Sequence, residues 1–305
     1  MKRWSATAPA STSNLGPGFD ALGLALRLRL TVTATRIPDG FRIERSGEGS
    51  DLALDPNRDA LLGAYRHLFR AAKQPVPTVA LAIRSEIPVA RGLGSSAAAI
   101  VAGLTLANHW MKGRFSREDL LLHAVELEGH PDNVSASLLG GLTLSFPRPD
   151  GTVTSLPVPA PRGLAITLVV PEGVRVSTEK ARAILPRSVP LADAAANTAR
   201  ALALLWIFAN RRADLLADAL EDVYHVPSRA RLIPAYSNVV EAGRRAGALG
   251  VTISGSGPTL LAFHAPGRWG RVGAAMVREF ARAKVRARAI PGRIEPRGAS
   301  ARTIG

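Results

Sequence analysis

One stretch, residues 88–99, constrains this chain more than any other. It reads Pro88, Val89, Ala90, Arg91, Gly92, Leu93, Gly94, Ser95, Ser96, Ala97, Ala98, Ala99. Upstream, Val79, Leu81 and Ile83 fit a buried strand, and residues 95–108 are rich in Ala, Ile, Val and Leu and fit a helix. A glycine-bearing loop between a strand and a helix lets the backbone approach an oxyanion. The free N–H groups of the helix's first turn then point at that anion. Ser95 and Ser96 can cap the helix, and their hydroxyls can also reach a phosphate or a metal. Taken alone, the motif supports no more than an ordinary strand-to-helix turn, because short glycine motifs are common.

Several anion-binding signatures are excluded. The Gly-Lys-Ser/Thr ending of a P-loop is missing, and no third glycine stands at the dinucleotide-binding offset. Protein-kinase signatures and the serine nucleophile elbow are absent, since Gly255-Ser256-Gly257 has the wrong spacing. With no cysteine there is no disulfide framework and no thiolate site, and the six histidines are scattered. The net charge of +15, mostly arginine, raises nucleic-acid binding as an alternative. The arginines are dispersed, however, with neither a run of five like charges nor an aromatic-interleaved stripe. Neither a signal-peptide core nor a run of about 18 apolar residues is visible, so a cytoplasmic protein is expected.

Along the chain, residues 4–12 and 22–36 carry strand patterns flanking a stretch, 11–20, whose turn formers predict a loop. Residues 28–35 alternate as a half-buried strand, and 41–45 are expected to pair with them after a Pro38-Asp39-Gly40 turn. Helices are expected over 59–73, 116–129, 191–209, 213–224, 237–246 and 270–283, with a helix start over 177–185. Strands are expected at 142–146, 164–170, 251–254, 260–263 and 284–290. The proline- and glycine-rich stretch 147–163 suggests a boundary, giving units 1–160 and 161–305. Mixed strands and helices without a strict βαβ rhythm predict an α+β protein of two domains.

Three segments together carry a resemblance. Residues 88–99 resemble the phosphate-binding motif of the GHMP small-molecule kinases. Ala8, Pro9, Ala10 and Ser11 through Asp20 are similar to their N-terminal motif, and residues 251–259 (VTISGSGPT) to their C-terminal glycine motif. The order is right, and the three span nearly the whole chain. The finer likeness is to the branch acting on L-homoserine, carried by Asn14 through Gly23, Glu128 through Asn133, Val176 through Pro186, and His225 through Pro234. Arg91, where many members have a small residue, and Val226, where a polar one is common, depart from the pattern.

The resemblance implies a ribosomal-S5-like N-terminal domain, a ferredoxin-like C-terminal domain, and transfer of the ATP γ-phosphoryl group to a small alcohol. Mevalonate and shikimate stand as other acceptors, and a non-catalytic ATP-binding regulator as another role. By the same resemblance, Pro88 through Ala98 cradle ATP, and Ser96 with Glu128 holds Mg²⁺. Arg182 and Arg229 clamp the substrate carboxylate, with Thr178 beside them. Asn14 and Asp20 face the ammonium or the reacting hydroxyl. Asp132 is either a general base or a substrate anchor, oriented with the substrate by His130 and Asn133. Gly255 closes the pocket, and a homodimer is a family-level expectation. Arginine suits the clamp because its planar fork matches two carboxylate oxygens. Asn57 and Asp59 are the expected neighbourhood of the adenine.

Overall fold

The computed structural model describes residues 2–51 and 55–305. In chain order the strands are β1 (Arg3–Asn14), β2 (Gly18–Arg36), β3 (Phe41–Gly47), β4 (Val79–Ser85), β5 (Leu142–Pro147), β6 (Val153–Val158), β7 (Ala165–Pro171), β8 (Ala248–Ile253), β9 (Leu260–His264), β10 (Ala287–Gly292) and β11 (Ser300–Ile304). The helices are α1 (Ala60–Ala71), α2 (Ser95–Trp110), α3 (Arg117–Glu128), α4 (Pro131–Leu139), α5 (Thr178–Ala183), α6 (Leu191–Asn210), α7 (Leu216–Ala219), α8 (Val226–Ala230), α9 (Tyr236–Arg245) and α10 (Trp269–Arg282).

Two sheets organise them. Seven strands form the first, in the order β11-β1-β2-β4-β3, with β5 also on β2 and β6 on β5. Helix α2 packs against β1 and α1, buried through Ala97, Ala98, Val101, Leu104 and Leu106. Its Gly103 lets the backbone of Leu61 in α1 come close, since a β-carbon there would lie 2.2 Å from the Leu61 oxygen. The second sheet has the order β10-β7-β9-β8, all antiparallel. That order, with α10 between β9 and β10, is the expected ferredoxin-like arrangement. The two sheets confirm the α+β class.

Some local expectations are overturned. The stretch 11–20 is not a free loop: β1 continues to Asn14, and β2 resumes at Gly18. Antiparallel pairing of Ser11 with Ala25 and Thr12 with Leu24 holds the polar residues in the ladder. The turn itself shrinks to 15–17, entered by left-handed Asn14 (φ 70°) and Leu15 (φ 50°). Strand β3 pairs in parallel with β4, Ile43 opposite Leu81, and β4 separates it from β2. The helix expected over 213–224 is only α7 with a 3-10 turn before it. Asp222 ends it by accepting the N–H groups of His225 and Val226 at 2.8 and 2.7 Å, which starts α8 instead. Residues 300–304, expected with the second unit, pair with β1, Arg3 opposite Ile304. Helix α6 is long and apolar enough to cross a membrane by length and composition alone; it carries Asp193 and Arg200.

Candidate active site

The loop before α2 is held from both sides. Ser11 N–H donates to the Leu93 carbonyl at 3.2 Å. From the second sheet, Ser254 Oγ donates to the Gly92 carbonyl at 2.7 Å, and Thr259 N–H to that of Arg91 at 3.3 Å. Glycine is required at two points. A β-carbon on Gly92 (φ +71°) would sit 2.1 Å from the Ser254 oxygen, and one on Gly94 (φ +65°) 2.1 Å from Ser11 Oγ. Gly94 is the residue that caps α2, and it offers no side chain. Neither serine caps the helix. Ser95 and Ser96 occupy the first turn, leaving its N–H groups for an external anion.

The three distant motifs meet at this point. Asn14 Nδ2 donates to the Gly255 carbonyl at 3.1 Å, and Gly255 N–H to the Ser13 carbonyl at 3.2 Å. Ser254 Oγ also lies 2.8 Å from Thr12 Oγ1. Asn133 accepts from Ser11 Oγ and donates to Ser13 Oγ, both at 2.9 Å. Around this junction opens a cleft of about 260 Å³. Its lining brings together Asn14, Asp20, Val89 through Gly92, Gly94 through Ser96, Glu128, His130, Asp132, Asn133, Thr178, Arg182, Arg229 and Gly255. Pro88, Leu93, Ala97 and Ala98 do not line it. Leu93, Ala97 and Ala98 are core residues beneath the loop, and Pro88 lines an adjoining cavity of about 290 Å³ that shares Val89 and Arg91. Asn57 and Asp59 line neither cavity. Asp59 instead caps α1, accepting from Leu62 N–H at 2.7 Å, and pairs with Arg45. Ser13, Val176, Ser177 and Ser256 line the cleft without having been singled out, although each lies inside a quoted motif.

Helix α3 starts with a Ser116–Asp119 capping box and ends at left-handed Gly129. This sets Glu128 at the cleft, where its carboxylate accepts from Ser96 Oγ at 2.8 Å. Burial pushes the Glu128 carboxyl up, partly offset by that hydroxyl. Pro131 then opens α4 at a position where its missing N–H costs nothing. Asp132 lies in the first turn of α4, buried, its Oδ1 within 2.9 Å of His130 Nδ1 and 2.7 Å of Asn133 N–H. Burial raises its carboxyl, but His130, Ser13 and the Asn133 N–H outweigh that and hold it below the usual carboxylate range. For His130 burial lowers the imidazole, and the Asp132 carboxylate more than compensates, leaving it raised.

Two arginines face the same cleft. Arg182 grips Asp20 with both terminal nitrogens. Arg229 is buried, donating to the Gly255 carbonyl at 2.9 Å, and among the described residues it makes no ion pair. Burial, then the neighbouring Arg182, lowers its guanidinium to about 10. Both guanidinium groups lie over Phe19, at 5.6 and 5.4 Å. His225 fixes the far side. Its Nε2 faces the Gly16 carbonyl at 3.0 Å and must donate, so Nδ1 accepts from Arg229 at 3.3 Å. Burial lowers its pKa and keeps it in this neutral form.

The family model "GHMP kinases N terminal domain" matches residues 59–141, and "GHMP kinases C terminal" matches 202–283. The chain is 38% identical over 292 residues to a homoserine kinase of Carboxydothermus hydrogenoformans, covering 95% of this chain and 94% of the relative. It is 41% identical over 285 residues to one of Synechococcus sp., covering 92% and 90%. A crystal structure of homoserine kinase from Cytophaga hutchinsonii superposes with a TM-score of 0.88 at 28% identity, covering 98% and 97%.

Proposed function

This chain belongs to the GHMP kinase family, and on that premise we propose that it transfers the γ-phosphoryl group of ATP to the hydroxyl of L-homoserine, giving O-phospho-L-homoserine for threonine biosynthesis. The observation that carries the reading is the convergence of three distant motifs on one cleft, whose lining includes a helix start without a side-chain cap and two arginines.

The residues divide the work. The backbone of Gly92 through Ser96, at the positive end of α2, holds the ATP phosphates. Arg182 and Arg229 take the amino-acid carboxylate, since Arg229 is a buried cation without an anion of its own among the described residues. Asp20 and Asn14 are left for the ammonium, with Thr178 and Gly255 at the rim. Asp132 receives the substrate hydroxyl. The hydroxyl oxygen bonds to the γ-phosphorus as the bond to the bridging oxygen of ADP breaks, and its proton passes to Asp132 or to the transferred phosphate. A loose transition state makes a strong base unnecessary. The depressed Asp132 pKa suits a permanently charged acceptor that positions the hydroxyl. His130 and Asn133 hold that carboxylate in place.

Ser96 and Glu128 fit Mg²⁺, a hydroxyl and a carboxylate already touching, with burial raising the carboxyl in the absence of a cation. The ion, when bound, neutralises charge on the β- and γ-phosphates. A polar acceptor and a nucleotide co-substrate suit the cytoplasm. We assign the cradle to the unit built on the first sheet, which takes back residues 300–304, and the closing turn to the unit built on the second. A homodimer finds support in α6, where Leu191, Leu202 and Trp206 are exposed at spacings of one helical face.

The test is ADP release from Mg²⁺-ATP with L-homoserine, mevalonate, shikimate and galactose in parallel. Turnover with L-homoserine is expected. Turnover with another alcohol and none with L-homoserine overturns the reading.

A further inference from the structure

Away from the cleft, α1 and α3 bring three donor side chains to one point. His67 on α1 places Nε2 3.0 Å from Nδ1 of His123 on α3. One helical turn further on, the Glu126 carboxylate lies 3.8 Å from His67 Nε2 and 3.9 Å from His123 Nδ1. The ring of Phe115 stands edge-on to His123 at 5.4 Å and fixes its plane. Neither histidine lines the cleft, and the proposed reaction uses none of the three.

We propose that His67, His123 and Glu126 form a binding site for a divalent transition-metal ion, Zn²⁺ foremost, that pins α1 to α3. The triangle of donor atoms is the argument. Zn²⁺ bonds of about 2.0 Å in tetrahedral geometry set ligand atoms about 3.3 Å apart. The observed edges of 3.0, 3.8 and 3.9 Å bracket that value without any change of backbone. Two imidazoles and one carboxylate select Zn²⁺ and its neighbours over Mg²⁺, which prefers oxygen. Water completes the fourth position. The two facing nitrogens share one proton as a hydrogen bond. A bound ion takes that proton's place, and the displaced proton moves to the other nitrogen of its own ring, so each imidazole stays neutral. Burial, then the neighbouring His67, lowers the His123 pKa, with Glu126 and Asp119 opposing them.

The experiment uses the whole enzyme, stripped of transition metals and kept in excess Mg²⁺ so that the catalytic cation site is filled. Zn²⁺ is titrated by calorimetry, and Co²⁺ by its visible absorption, which is strong in four-coordination and faint in six. The wild type is expected to take one equivalent of each, with a strong Co²⁺ band and a higher Tm. His67→Gln and His123→Ala, on different helices, each weaken binding at least tenfold and abolish the band, while ADP release by the variants stays at the wild-type rate. Glu126→Gln weakens binding less. A wild type with no strong Co²⁺ band, or a His123→Ala enzyme that binds like the wild type, overturns the proposal. Should one variant fail to fold, the wild-type spectrum and the other variant decide it. None of these readouts depends on which alcohol the cleft accepts.

Discussion

Asp20 and Arg182 form a two-point ion pair, with oxygen-to-nitrogen distances of 2.7 and 3.0 Å, across 162 residues of chain. The pair spans the two sheets' contributions to the cleft, one partner from β2 and the other from α5. A substrate carboxylate reaching Arg182 must share this guanidinium. Arg182→Lys keeps the charge but loses the fork. We expect KM for L-homoserine to rise about tenfold or more, roughly 1.4 kcal/mol per factor of ten, with KM for ATP unchanged. An unchanged KM for the amino acid would sink the clamp.

Asp132 lines the cleft and is the residue proposed to receive the acceptor hydroxyl. Asp132→Asn keeps the shape and removes the charge. A fall in kcat of about 10²- to 10³-fold is expected, measured by steady-state ADP release. Near-normal kcat would leave Asp132 no part in positioning the hydroxyl or receiving its proton.

The His130–Asp132 contact also has a pH signature. The raised His130 pKa means that its stabilisation is full below the ordinary histidine value and fades as pH climbs through the raised one. The depressed Asp132 pKa means that its share is present above the ordinary aspartate value and fades as pH falls through the lowered one. A double-mutant cycle with His130→Asn and Asp132→Asn, read by urea unfolding, should therefore show coupling near about pH 6 and little near about pH 9. Coupling that is constant across this range would contradict the charged pair.

Glu128 must be ionised to hold a cation, and burial pushes its carboxyl up. The acid limb of turnover should therefore lie above the ordinary glutamate value and move to lower pH as Mg²⁺ is raised. Glu128→Gln should increase the Mg²⁺ needed for half-maximal rate by about tenfold or more and abolish the movement of that limb.

Gly92→Ala tests the loop. The added carbon meets a backbone oxygen, which has little room to retreat, and the residue's φ is positive. A loss of about 1–3 kcal/mol in stability, seen as a lower Tm, should accompany weaker ATP binding. An unaltered Tm and ATP affinity would show that the Gly92–Ser254 approach is not needed.

Much of this site was legible in the sequence because its residues cluster within short motifs. Asn14, Asp20, Glu128, Asp132 and Gly255 all reach the cleft expected of them. What composition could not reveal were relationships decided by pairing. The alternation in 41–47 shows a strand but not that β4 lies between it and β2. Residues 11–14 look like a loop because they are polar, and only the ladder to β2 explains why they extend. The apolar pattern of 213–224 says helix, whereas Asp222 takes N–H groups that start another one. Gly94 could not be told from a serine as the cap of α2, since that depends on its left-handed φ.

The bond from Ser254 to Thr12 joins residues 242 positions apart, and the Gly92 carbonyl it also touches is 162 away. Contacts of such sequence separation carry a loop-closure cost that must be met before they reward the chain. Local helices such as α2 can precede the cleft during folding, but the cradle's second wall arrives only when the β8–β9 hairpin docks. Nucleotide should therefore bind weakly to partly folded states. Once that docking is complete, bound nucleotide slows unfolding far more than it speeds folding.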